Sequence, residues 1–368
     1  MRAAKEKFKR MKHDLKIWNR DIFGHTSKLK KEIIGKIGEL DKLDDDSNLD
    51  NDKKKEHIEL LSQLQLLNLK HESIMQQKSR VKWIQQGDNN SKFFHSSIKW
   101  RSLKSEIKGL EIQGKWNEDP NVVKEVVKEF YRKRLMAKPN LGVRLDNIQF
   151  QQLSVEDNNM LTKCFDAIEI KKAVWGCGSS KSPGPDDFNF SFIKKFWDII
   201  GKDIIHAVEH FYKFGNISKG CNASFISLVP KLGNPITLDG YRPISLVGCI
   251  YKVISKILSN RVKKVLPKII DGSQSAFISG RGLMDNILVA NETVEDIKRK
   301  KKCGLVIKID YEKAYDSVSW EFLYYMMERL GFCRQWISWI KKCLESATIS
   351  VLVNGSLTKQ FNPTRGLR

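Results

Sequence analysis

An α+β fold is predicted for these 368 residues by three features of the sequence. Residues 1–79 are polar, with apolar positions recurring three and four apart, the period of helices that bury one stripe. From about residue 153 the chain is denser in apolar residues and mixes the helical period with strand alternation. Asn354-Gly355, set between residues 348–353 and 356–361, is the strongest short signal for a β-hairpin.

Taken in order, Phe8, Met11, Leu15, Trp18 and Ile22 form a first stripe. His57, Leu60, Leu64, Leu67, His71 and Ile74 form a second, with the Asp-, Asn- and Ser-rich residues 41–53 as a loop between. A helical hairpin or coiled coil over residues 1–79 fits this pattern. From 78 to 101 basic residues interleave with aromatics: Lys82, Trp83, Lys92, Phe93, Phe94, Lys99, Trp100 and Arg101. That mixture suits single-stranded nucleic acid, with rings for bases and cations for phosphates. It equally suits a helix with its rings turned to a core. Residues 80–152 are read as a linker region containing a short hairpin at 106–116 and an amphipathic helix at 121–134. Two helices are expected between 188 and 214, a strand at 224–231 and a helix at 250–265. A buried strand at 304–310 and helices at 320–330 and 334–344 follow. No internal repeat is present.

Sixty-five Lys and Arg against 43 Asp and Glu give a formal net charge of +22, which favours a polyanionic partner. Seven cysteines without a C-x-x-C pair point to reduced thiols and an intracellular setting, nucleus or cytoplasm. The charged N-terminus is no secretory signal, and no apolar run approaches the ~20 residues a membrane span needs.

The chemistry concentrates at Leu305-Val-Ile-Lys-Ile-Asp310-Tyr311-Glu-Lys-Ala-Tyr315-Asp316. Strand alternation places Asp310 at the end of the run, where a carboxylate can hold a hard divalent cation. A turn residue or a helix cap is the ordinary alternative. Asp310, Lys313, Ala314, Tyr315, Asp316 and Val318 resemble the palm motif K-x-D-x-x-K-A-[FY]-D-x-[VI] of LINE (non-LTR retrotransposon) reverse transcriptases. Lys181-Ser-Pro-Gly-Pro-Asp186 resembles the K-S-P-G-P-D-G block of the same family, with Asp187 at its final Gly. Leu228-Val-Pro-Lys231 with Tyr241-Arg242-Pro-Ile-Ser-Leu246 resembles its fingers. Gln274-Ser-Ala-Phe277 with Gly280-Arg281 and Asp285-Asn286 resembles the next block, and Arg365-Gly-Leu-Arg368 opens another. Trp83, Gly87-Asp88, Asn90 and Lys92 to His95 resemble the segment between endonuclease and polymerase in plant elements.

The resemblance implies a right-hand polymerase, with residues 153–368 as fingers and partial palm, acting on an RNA template and a DNA target or primer. It implies deoxynucleoside triphosphates as substrates and Mg²⁺ held by Asp310 and the Tyr311 carbonyl. Lys231 and Arg242 would reach the triphosphate, Tyr315 would lie under the incoming sugar, and Asp316 would orient its loop. Nucleic acid would meet Lys82, Trp83, Lys92, Phe93, Lys99, Trp100, Arg101, Gln274 and Arg281. The aromatic-x-Asp-Asp motif that brings the family's further metal carboxylates does not occur in these residues. The chain is therefore expected to be a truncated, inactive form that retains nucleic-acid binding. A non-catalytic nucleic-acid-binding module is the alternative, and a group II intron maturase a lesser one, set back by the segment at 83–95. His206-Ala-Val-Glu209-His210 fits H-x-x-E-H, yet both histidines fall on the polar side of their helix, which argues against zinc.

Overall fold

The computed structural model describes residues 1–23, 26–45, 50–79, 96, 99–100, 103, 106–137, 142, 144–233, 235–311 and 313–367. It contains both helix and sheet, as the α+β reading requires. Two compact units divide the chain: 9–108 with 230–235, and 1–8 with 109–229 and 236–368.

Helix α1 (Arg2–Phe23), whose residues from Lys9 on belong to the unit 9–108, is followed in that unit by α2 (Thr26–Asp45) and α3 (Asn51–Ser79). Helices α2 and α3 pack through Ile33, Ile37, Leu40 and Leu60, with Leu64 and Leu67 against that seam. The stripe ends there, since Ile74 is exposed.

The other unit opens with a hairpin, β1 (Leu110–Ile112) and β2 (Lys115–Asn117), in antiparallel register. Its central residues, Gln113 and Gly114, both have positive φ, the geometry that matches strand twist in a two-residue turn. Next comes α4 (Pro120–Arg134), which starts at Pro120 behind the Asp119 cap and buries Val123, Val127 and Tyr131 four residues apart. Helices α5 (Val155–Thr162), α6 (Ala167–Trp175), α7 (Phe190–Lys195) and α8 (Trp197–Phe214) lead to β3 (Ala223–Pro230). Then follow β4 (Tyr241–Val247), α9 (Cys249–Ile269), α10 (Leu283–Arg299), α11 (Trp320–Arg329) and α12 (Arg334–Glu345). The hairpin β5 (Thr348–Val353) and β6 (Ser356–Leu357) turns on Asn354 and Gly355, both at positive φ as that dipeptide predicts.

The main sheet has the order β4-β3-β5-β6, with β5 parallel to β3 and antiparallel to β6. Buried in this unit are Ile226, Ile349 and Val351 of the sheet, Ile204, Val208 and Phe211 of α8, and Val253, Ile254 and Ile257 of α9. The anticipated apolar face of α8 is thus buried as the period requires. Inside it, Arg261 of α9 donates to the carbonyls of Leu161, Lys163 and Cys164 and pairs with Glu169 at 2.6 Å.

Two readings depart from expectation: the loop read at 41–53 is shorter, since α2 runs to Asp45 and α3 starts at Asn51, and the expected strand at 304–310 is absent. Residues 304–310 form no strand, and Leu305 and Ile307 are 86% and 72% exposed. The alternation of that run is real, but alternation makes a strand only where a neighbour completes the hydrogen-bond ladder, and no described strand pairs with it.

Candidate functional site: the Lys313–Val318 turn

Beyond the extended run, Lys313 takes a left-handed φ of 54° and Ala314–Ser317 closes a single 3₁₀ turn. Three ties hold that turn. Lys313 Nζ meets Asp239 Oδ1 at 2.7 Å, just before β4. Arg134 Nη2, at the end of α4, meets Asp316 Oδ2 at 2.6 Å. The strap of residues 364–367 runs alongside: Leu367 N donates to the Tyr315 carbonyl at 2.7 Å and Gly366 N to that of Val318 at 2.8 Å. Trp320 Nε1 returns a bond to Gly366 O at 2.9 Å. Gly366 has φ +82°, and a Cβ there would stand 2.7 Å from the Asp316 carbonyl, so glycine is required by both angle and space. Beneath the turn, Tyr131 is 1% exposed, and burial pushes its phenol well above the usual tyrosine range.

The expected site residues fall in different settings. Tyr315 is 61% exposed on the turn. Arg242 is exposed on β4, beside buried Tyr241. Lys231 is exposed and belongs to the other compact unit. Asp310 and Tyr311 are exposed in the extended run. With Asp316 engaged by Arg134, and no group of three potential metal-ligating side chains among the described residues, the donors present do not assemble a Mg²⁺ site. His206 and His210 likewise join no such group; His210 packs on Phe214, and burial lowers its basicity.

Arg281 is occupied within the chain. Its guanidinium donates to the carbonyls of Pro267, Ile270, Asp271 and Gln274, closing the loop after α9, where helix-end carbonyls lack partners. Gln274 Nε2 donates to Ala276 O, and Asn286 Nδ2 to Ser273 O. This framework presents Phe277, 87% exposed at φ +64°, a strained conformation for an aromatic residue. Lys99 and Trp100 are exposed; Lys82, Trp83, Lys92, Phe93 and Arg101 lie outside the described residues.

The Lys181–Asp187 block serves as a brace. Gly184 lies so close to the Val247 and Gly248 backbone that a Cβ would collide. Asp186 Oδ2 accepts from Cys249 N at 2.5 Å, capping α9 from a distant loop, and Asp187 stands at φ +63°. Sequence reasoning missed Arg134, Arg261 and Lys194, whose partners are remote. Lys194 donates to the carbonyls of Trp175 and Cys177 and to Ser179 Oγ. No local signal could have found them.

Residues 229–368 match the family described as reverse transcriptase (RNA-dependent DNA polymerase). A 149 kDa protein of transposon TX1 from Xenopus laevis is 27% identical over 294 residues, covering 79% of this chain and 22% of that protein. The Pol polyprotein of retrotransposable element R2 from Popillia japonica is 23% identical, covering 42% and 22%. The RNA-directed DNA polymerase of mobile element jockey from Drosophila melanogaster is 26% identical, covering 51% and 21%. The chain thus spans about a fifth of the length of these relatives. Residues 229–368 carry a reverse transcriptase domain, and the chain resembles the proteins of LINE-type (non-LTR) retrotransposons.

Proposed function

We propose that the chain supplies the fingers and part of the palm to an intracellular protein that copies RNA into DNA from a primer at its target. In this reading Tyr315 lies under the incoming sugar and Arg242 receives the triphosphate, the fork of Arg suiting phosphate oxygens. The Lys313–Asp239 bridge carries the reading, because it ties the turn bearing Tyr315 to the entry of the strand bearing Arg242. Divalent metal would lend charge stabilisation to phosphoryl transfer, and Asp310 with the Tyr311 carbonyl would contribute to its binding. These residues do not complete that set. Helices α2 and α3 would then be the helical hairpin or coiled coil read over residues 1–79, and 80–152 the approach to the polymerase.

Primer extension and nucleotide capture test this together. Given a DNA primer on an RNA template, Mg²⁺ and deoxynucleotides, the 368-residue chain should bind the hybrid without extending it. Template-dependent extension abolished by Asp310→Ala would show that the chain builds the metal site by itself. The complementary deoxynucleotide should bind the complex better than the others, and Arg242→Ala should weaken it. Indifference to deoxynucleotides would leave the second reading, a nucleic-acid-binding module, favoured by the net charge of +22.

A further inference from the structure

Arg134 precedes the stretch that matches the reverse transcriptase family, yet its guanidinium ends in the turn that carries Tyr315. We propose that Arg134 is a positioning residue for Tyr315: with Asp316 and Gly366 it sets the attitude of the turn, and through it the preference for the sugar of a nucleotide. The inference rests on the reading of Tyr315 given above.

The ion pair is held away from solvent, the Arg134 and Asp316 side chains being 13% and 27% exposed, so water screens it less than a surface pair. The strap is fixed on both sides. Toward α4, Thr364 N and Arg365 N both donate to Leu135 O, at 2.8 and 3.1 Å, and Arg365 Nε donates to Arg134 O at 2.9 Å. Ala137 N adds a bond to Thr364 Oγ1 at 2.6 Å. Toward the turn, Gly366 and Leu367 hold the carbonyls of Val318 and Tyr315. The end of α4, the strap and the turn are therefore one hydrogen-bonded body, in which the Arg134 side chain joins the helix end directly to the turn.

Stability alone does not account for an arginine here. Arg134 Nε is buried without a hydrogen-bond partner among the described residues, which costs free energy that an apolar residue at 134 would avoid. What the arginine adds is a directed contact to Asp316, the residue next to Tyr315. The Tyr315 ring is largely in solvent, so the backbone of the turn decides where it stands.

Arg134→Gln in the full chain is expected to speed amide exchange at Gly366 and Leu367 about tenfold while Ile349 and Val351 of β5 keep theirs. Arg134→Lys, which keeps the charge, should restore most of the protection. With primer and RNA template bound, displacement of a γ-phosphate-labelled dATP by dATP and by ATP measures sugar preference. That preference should fall about fivefold in Arg134→Gln and recover in Arg134→Lys, with hybrid affinity unchanged. Unaltered exchange at Gly366 and Leu367, or an unaltered preference once the turn has loosened, overturns the proposal. A wild-type chain that binds neither nucleotide overturns the underlying reading of Tyr315 and this proposal with it; binding without a change in preference overturns this proposal alone.

Discussion

At the scale of the residue, backbone geometry explains letters that side-chain chemistry does not. Gly184 admits the backbone between β4 and α9, and no side chain can be added there without moving one of them. Gly184→Ala is therefore expected to lower stability by about 2 kcal/mol or more, measured by denaturant unfolding. Asp187, where the resembling block has Gly, sits at φ +63°. Asp187→Gly should be tolerated within about 1 kcal/mol, whereas Asp187→Val should cost more, because a β-branched residue resists that region. Asp157 gives a pH signature. The Lys268 ammonium bonded to it, helped by the Ser154 N–H and hydroxyl, holds its carboxyl below the ordinary range. The folded value lies below the unfolded one, ~3.9, so the stabilisation is complete above that pH and is lost as pH falls through the folded value. Melting temperatures of wild type and Asp157→Asn should differ near neutrality and converge in acid.

Elements were legible in proportion to how locally they are determined. The amphipathic helix read at 121–134, the period of α8 and the Asn354-Gly355 turn each act within a few residues, and each lies where the sequence pattern put it. A strand is a property of a pair, and residues 304–310 alternate correctly yet lack a described neighbour. The same distinction separates the site residues. Tyr315 and Asp310 are readable from a contiguous motif, while Arg134 meets Asp316 across 182 residues and no local pattern encodes it. The exposed Leu305-Val-Ile-Lys-Ile run has a consequence of its own, since an exposed apolar run with no strand partner among the described residues invites pairing between chains. Ile307→Lys should raise the soluble fraction and reduce light scattering on concentration without lowering the melting temperature. A large drop in melting temperature, with strong exchange protection over 305–310 in the wild type, would show that the run is paired in solution.

For the whole molecule, the proposed function has the net charge of +22 and the exposed rings make separable contributions to nucleic-acid binding. Cations act by releasing counterions, so their effect shows in how affinity depends on salt. Rings act by stacking, which salt hardly alters, so their effect shows in affinity at any one salt concentration. On single-stranded RNA the chain should bind with little sequence preference, and affinity should fall steeply between roughly 50 and 200 mM salt. Lys99→Ala should reduce the slope of log affinity against log salt by about 0.7, the value for one phosphate contact on a single strand. Trp100→Ala and Phe277→Ala should each weaken binding by about 1–3 kcal/mol and leave the slope unchanged. Phe277 is the sharper case, because Arg281 and Asn286 already brace its loop and truncating the ring removes no buried contact. A Phe277→Ala variant with wild-type affinity would remove stacking at that loop from the account. An affinity flat across the salt range would remove phosphate contacts as its main source, and with them the meaning assigned to the chain's charge.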